Sequence, residues 1–166
     1  MLTKKRQFFK LISLNKKEQK AFLFIFFISL VCLSSLLQSN QLYMDDYYRV
    51  MDGRTLWSQN SKPIASFITV LLQLGTPLTD ISPLPQILCF VLYSLSIVYV
   101  AKLFEINDLV ILILSGLVFV INPYNLSIYS FTFDSLPMGL GVFSSIAAFY
   151  LTTIAIEKKT IYGIKY

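Results

Sequence analysis

The stretch Tyr43–Arg49, YMDDYYR, sets two aspartates side by side and places an arginine three residues beyond the second. Neighbouring carboxylates in partly dehydrated surroundings repel each other, which raises the apparent pKa of the pair and makes one of them a better proton acceptor. Asp45 and Asp46 are therefore candidates for general-base work. A hydroxyl is a poor nucleophile at neutral pH, and a carboxylate within hydrogen-bond reach can take its proton as the new bond forms. Arg49, Arg54 and Lys62 follow in the same segment, where cations could hold a phosphate leaving group and offset its charge. Arg49 is also spaced to pair with Asp46 along one helix face.

Other residues of the segment have simpler readings beside the chemical ones. Tyr43, Tyr47, Tyr48 and Trp57 suit an interfacial aromatic belt, with sugar stacking as a further use of Trp57. Asp80 and Asp134 each stand shortly before a serine and a proline at expected helix starts, where first-turn capping accounts for them and a place beside a substrate is the alternative. Asp52 before Gly53 reads as a turn. The chain holds no histidine, which removes histidine metal ligands, Ser-His triads and histidine bases together. Any acid, base or metal ligand must then be a carboxylate. Paired aspartates admit Mg²⁺ or Mn²⁺, so metal dependence is left open at this stage.

The elements that position these groups follow from hydropathy. Of 166 residues, 55% are hydrophobic and 14% charged, and the mean hydropathy of +0.66 lies outside the range of soluble domains. The sequence describes an all-α membrane protein. A similar aspartate pair behind Tyr-Met marks the metal-binding turn of reverse transcriptases, but that turn needs a soluble sheet, and here the pair follows a long apolar run. Cys32 and Cys89 lie inside apolar runs and act as small hydrophobes.

About four transmembrane helices are expected, over residues 21–38, 84–103, 108–122 and 137–156, each apolar and near the length that crosses about 30 Å of hydrocarbon. Residues 1–20 form a basic leader and 157–166 a tail, both cytoplasmic; residues 39–83 and 122–137 form two outer loops. Seven of the fourteen basic residues precede Ala21, and the alternation of spans leaves only Arg49, Arg54 and Lys62 outside, as the positive-inside rule requires. The charge of +5 is thus a topology signal and not a nucleic-acid footprint. In the first outer loop Ile64–Gly75 is too short to span, carries Ser66, Thr69 and Gln73 at helical spacing, and reads as an amphipathic interfacial helix started by Pro63.

The blocks DDYYR, then Gly53 and Trp57, Lys62-Pro63-Ile64, DISPLPQ (Asp80 to Gln86) and NPYNLSIYSFTFDSLPM (Asn122 to Met138) resemble the GtrII-type glucosyltransferases of bacterial O-antigen modification, polytopic enzymes of the GT-C type. The resemblance runs from the first expected span through the fourth. It implies a glucosyltransferase of the bacterial inner membrane, with its working loops on the periplasmic side. It also implies a glucose donor on undecaprenyl phosphate, a lipopolysaccharide O-antigen acceptor, and direct displacement with inversion. Carried onto this chain, it assigns the catalytic carboxylate to Asp45 or Asp46, a donor-phosphate contact to Arg49, and the shaping of the sugar site to Asp80 and Asp134.

Members of that family are longer, so the chain is expected to correspond to the N-terminal part of such an enzyme. A catalytic loop carried on four spans would stay open to water, and the isolated chain is expected to turn over weakly or not at all. The alternative from another class is a noncatalytic membrane protein: an assembly partner, or a carrier that binds a lipid-phosphate sugar without chemistry.

Overall fold

The computed structural model describes residues 13–39, 41–43, 45–55 and 62–161, with side chains described as far as Ile156. Eight helices and no strand occur among them: α1 (Lys16–Cys32), α2 (Ser34–Ser39), α3 (Asp45–Asp52), α4 (Pro63–Leu72), α5 (Leu84–Leu103), α6 (Leu109–Val120), α7 (Pro123–Ser130) and α8 (Ser135–Ile161). The chain is an all-helical membrane protein. Among the described residues two helices are long and apolar enough to cross a bilayer, Leu84–Leu103 and Ser135–Ile156. A third crossing results if α6 and α7, bent by 57° at Ile121-Asn122, count as one broken span.

α5 is the central element and packs on α8, α1 and α6. Ala21 and Ile25 of α1, Phe90, Tyr93 and Ile97 of α5, Leu112 and Val120 of α6 and Tyr129 of α7 form the main core. Tyr129 joins the two halves of the bent pair: its hydroxyl donates to the Val120 carbonyl at 2.9 Å, and its ring meets Phe90 edge-on at 4.6 Å. The bend is thus held by a buried hydrogen bond to a carbonyl that a helix end leaves open.

Two features of the segment expected as the first span differ from a continuous helix. α1 begins earlier, at Lys16, on a capping box in which Asn15 and Glu18 exchange side-chain to backbone hydrogen bonds. It is also interrupted at Leu33, after which α2 resumes. The physical cause lies in the serines, because Ser34 Oγ donates to the Val31 carbonyl at 2.8 Å and competes with the helical ladder.

The short helix α4 forms where expected, with Pro63 at its first turn. Its polar side faces the protein: Thr69 is buried, Ser66 meets Thr55 at 3.3 Å, and Gln73 Oε1 accepts from Thr79 N at 2.7 Å. Ile64, Phe67 and Leu71 form an exposed apolar stripe on the other side.

The bundle has two chemically different ends. At one, Lys102 on the last turn of α5 pairs with Glu18 at 3.2 Å, donates to the Ser13 carbonyl and lies over the rings of Tyr99 and Tyr150. The 20 residues of α5, at about 1.5 Å each, carry the chain some 30 Å to the other end. There the start of α5 lies near the end of α1, with Cys32 and Gln86 on one cavity wall, and near the start of α8, where Gly139 faces Cys89.

Gly116 lets α6 approach α1 and α5. A Cβ there would overlap Ile25 Cδ1 and lie 3.1 Å from Ile97 Cγ2, so small size is required at this crossing. Gly116→Ala is expected to destabilise the fold by about 1–3 kcal/mol through overpacking. Ile25→Val, which removes the clashing Cδ1, should restore part of the loss. Thermal unfolding of the purified variants in one detergent checks both, and an undisturbed midpoint in Gly116→Ala would contradict the packing argument.

Candidate functional site

α3 opens with the aspartate pair, and Asp46 N donates to the Tyr43 carbonyl at 3.1 Å to start the turn. At the other end Gly53, at φ 63°, donates to the Arg49 carbonyl at 2.8 Å and accepts from Leu78 N at 3.0 Å. A Cβ at Gly53 would meet Pro77 Cβ at 2.7 Å, so both the left-handed backbone and the close approach call for glycine. The expected turn at Asp52-Gly53 is present. A second, smaller core of Leu78 and Phe133, with Val50, Ala65 and Val70 against it, fastens α3 and α4 to the loop before α8.

Successive helical positions send Asp45 and Asp46 to different places. Asp45 is exposed, whereas Asp46 is fully buried and accepts from Thr132 N at 2.5 Å. A longer contact from Phe133 N, 3.4 Å, reaches the other oxygen. Arg49, one turn on and also buried, places Nη1 3.2 Å from Asp46 Oδ1 and 2.8 Å from Asp134 Oδ2. One guanidinium thus joins two carboxylates from distant parts of the chain, and with the two backbone N–H groups it locks α3 onto the Phe131–Asp134 loop. Buried charges are tolerated only when paired and hydrogen-bonded in this way.

The rise in proton affinity expected of the aspartate pair is present at Asp46, with another cause. Burial pushes its carboxyl up to about 6; the N–H groups of Thr132 and Phe133 and the Arg49 charge oppose the rise, and the Asp134 charge adds to it. Folding therefore favours the protonated acid. The resulting stability is present in full below the ordinary value of 3.8 and is lost as pH rises through about 6. Compared with Asp46→Asn, which has no proton to gain, the wild type should gain about 2–3 kcal/mol on going from about pH 7.5 to about pH 4. Parallel pH profiles of the two unfolding midpoints would refute this.

The remaining expected site residues divide. Asp134 belongs to the cluster, and its side chain goes to Arg49; its carbonyl accepts from Met138 N at 3.0 Å as α8 begins. Asp80 is exposed and accepts from Ser82 N at 2.8 Å, which makes it a turn residue ahead of α5, apart from the cluster. Arg54 and Lys62 are exposed, and the Thr55–Ser66 contact links the segment that ends in Arg54 with the helix that follows Lys62. Trp57 lies outside the described residues. Among the described residues no group of three or more His, Cys, Asp or Glu side chains is placed to hold a metal ion; between Asp46 and Asp134 the countercharge is Arg49.

Sequence reasoning did not find the Thr132 and Phe133 N–H groups, because a backbone donor has no residue-type signal. It also passed over Gln86, a buried amide at the start of α5. The available hint was a polar residue leading an otherwise apolar run.

A cavity of about 590 Å³ opens beside the cluster, between the end of α1, α2, the start of α5 and α7, and Thr132 forms part of its wall. Polar groups on rigid helix ends around a concavity of this size are the usual form of a small-molecule site.

Residues 33–164 match the family described as "Glucosyl transferase GtrII". The chain belongs to that family. It is also similar to a Salmonella phage P22 protein described as an uncharacterized 55.3 kDa protein in the gtrB 5′ region, at 29% identity over 124 residues. The match covers 75% of this chain and 26% of that relative, so the chain spans about a quarter of the relative's length. No solved structure matches it.

Proposed function

We propose that the chain acts in the transfer of glucose from a polyprenyl-phosphate donor, such as undecaprenyl phosphate, to a hydroxyl of a cell-surface polysaccharide of the O-antigen kind. The observation that carries this reading is the clamp of Arg49 on Asp46 and Asp134. It fixes the first turn of α3 and leaves Asp45 accessible beside it. Asp45 is then the base that takes the acceptor proton as its oxygen attacks the anomeric carbon, and the phosphate leaves on the opposite face. Asp46 and Asp134 are positioning residues. Because Arg49 is committed to two carboxylates, the donor phosphate falls to the exposed Arg54 and Lys62, with Trp57 against the sugar. Asp80 shapes the turn that presents Ser82.

In this reading the protein lies in the bacterial inner membrane with α1 and α2 together as the first of four spans. The lysine-rich end of α1 is cytoplasmic and α3 periplasmic. The apolar stripe of Ile64, Phe67 and Leu71 supports placing α4 in the outer interface, its polar side toward the loop.

The test uses membranes that contain the chain, labelled polyprenyl-phosphate glucose and acceptor polysaccharide, with retention of the labelled lipid measured in parallel. Single-turnover incorporation that is lost in Asp45→Asn while the lipid is retained supports the enzyme. Retention without any Asp45-dependent incorporation would show a carrier and overturn the proposal.

A further inference from the structure

The cavity beside Thr132 has a composition that restricts what it can hold. Among the described residues that line it, none is charged. Leu36 and other apolar residues form one part of the wall, while Tyr43, Ser82, Gln86 and Thr132 bring polar residues to it. A phosphate or carboxylate would find no countercharge there. A purely apolar chain would strand the polar atoms.

Gln86 adds a second observation. It is 4% exposed, and its Nε2 donates to Ser82 Oγ at 3.3 Å. Its Oε1 is buried with no hydrogen-bond partner among the described residues. A buried amide oxygen left without a donor costs free energy, and a ligand hydroxyl reached by a small rotation of the carboxamide would recover it. An uncharged ring with hydroxyls at its edge and apolar C–H faces meets both requirements.

We propose that this cavity is a saccharide subsite and that Gln86 selects the ring by accepting a hydrogen bond from one of its hydroxyls. The proposal rests on the transferase reading for its context and deepens it, since Tyr43 on the cavity wall stands two residues before the proposed base, Asp45. Clamping the Thr132 backbone through Asp46 would then shape the sugar cavity and the base turn together. The ring is that of the donor glucose or of the acceptor polysaccharide, and kinetics separate these sources.

Methyl glucoside is the probe, observed by saturation-transfer NMR on the 166-residue chain in nanodiscs of phosphatidylethanolamine and phosphatidylglycerol. Wild type and Asp45→Asn should bind it alike. Gln86→Leu should weaken it about tenfold, the worth of one discriminating hydrogen bond. Leu36→Trp, which fills the cavity from another helix, should also remove the signal, and it keeps the test decisive where Gln86→Leu folds poorly. No binding by wild type, or equal binding by wild type and both cavity variants, overturns the subsite. That outcome leaves the role of Asp45 untouched, whereas intact probe binding without Asp45-dependent transfer would defeat the transferase reading alone. In transfer assays Gln86→Leu should raise KM more than it lowers kcat: a higher KM for the polyprenyl-phosphate glucose assigns the ring to the donor, a higher KM for the polysaccharide assigns it to the acceptor, and an unchanged KM for both counts against the subsite.

Discussion

On the proposed transferase reading, Asp45→Asn is expected to lower whatever glucose transfer the chain supports by about 10²- to 10⁴-fold, the usual contribution of a positioned general base, while the unfolding midpoint stays within about a degree of wild type. The two halves of this result have separate causes. Asp45 is exposed and lies outside the buried ion-pair cluster, so its amide isostere removes proton affinity without disturbing packing. Asp46→Asn is expected to behave differently. The side-chain carbonyl of that variant can still accept from Thr132 N, but the charge facing Arg49 is gone, so transfer and stability should change together. If Asp45→Asn transferred glucose as wild type does, and Asp46→Asn abolished transfer at unchanged stability, the roles assigned to the two aspartates would have to be exchanged.

The membrane helices were readable because lipid imposes one rule on every residue of a span. α5 and α8 lie where apolar runs of spanning length place them. Boundaries governed by local hydrogen bonds were less accessible. The interruption at Leu33 depends on what the Ser34 hydroxyl does with the preceding turn, which hydropathy does not register. α4 shows a subtler case. Its polar and apolar sides were evident from spacing, but only the fold shows Thr69 turned inward and Ile64 outward.

The buried cluster was legible in its members and not in their arrangement. Asp46, Arg49 and Asp134 all stood out as rare charges on an apolar chain, and the i, i+3 pairing of the first two follows from helix geometry. That Arg49 also reaches Asp134, across 85 residues, is a tertiary fact. So is the partition of the aspartate pair into one buried and one exposed carboxylate, which depends on which side of α3 meets the Phe131–Asp134 loop. Asp80 had the same local pattern as Asp134 and proved to be a turn residue. The two differ in the cation that the fold brings to one of them.

Arg49→Ala is expected to cost about 3–5 kcal/mol of stability, the range for removing one partner from a buried ion pair. Two carboxylates depend on this side chain. Asp46 is fully buried and Asp134 nearly so, at 13% exposure, and both would be left facing each other with no cation between them. The protein has one inexpensive response, which is to protonate Asp46, whose carboxyl burial already holds at about 6. Loss of the Arg49 charge removes one of the influences that keep this value down, so it should move higher in the variant. The penalty should therefore be largest at alkaline pH and shrink as the solution is acidified. Combining Arg49→Ala with Asp46→Asn should recover part of the loss at neutral pH, and the double-mutant cycle measures the coupling directly. Arg49→Lys should fall between, since an ammonium supplies charge but cannot repeat the planar geometry of a guanidinium between two carboxylates. Unfolding midpoints across pH for the three variants make the comparison, and a penalty in Arg49→Ala that neither acid nor Asp46→Asn relieves would show that Arg49 acts through packing instead of charge.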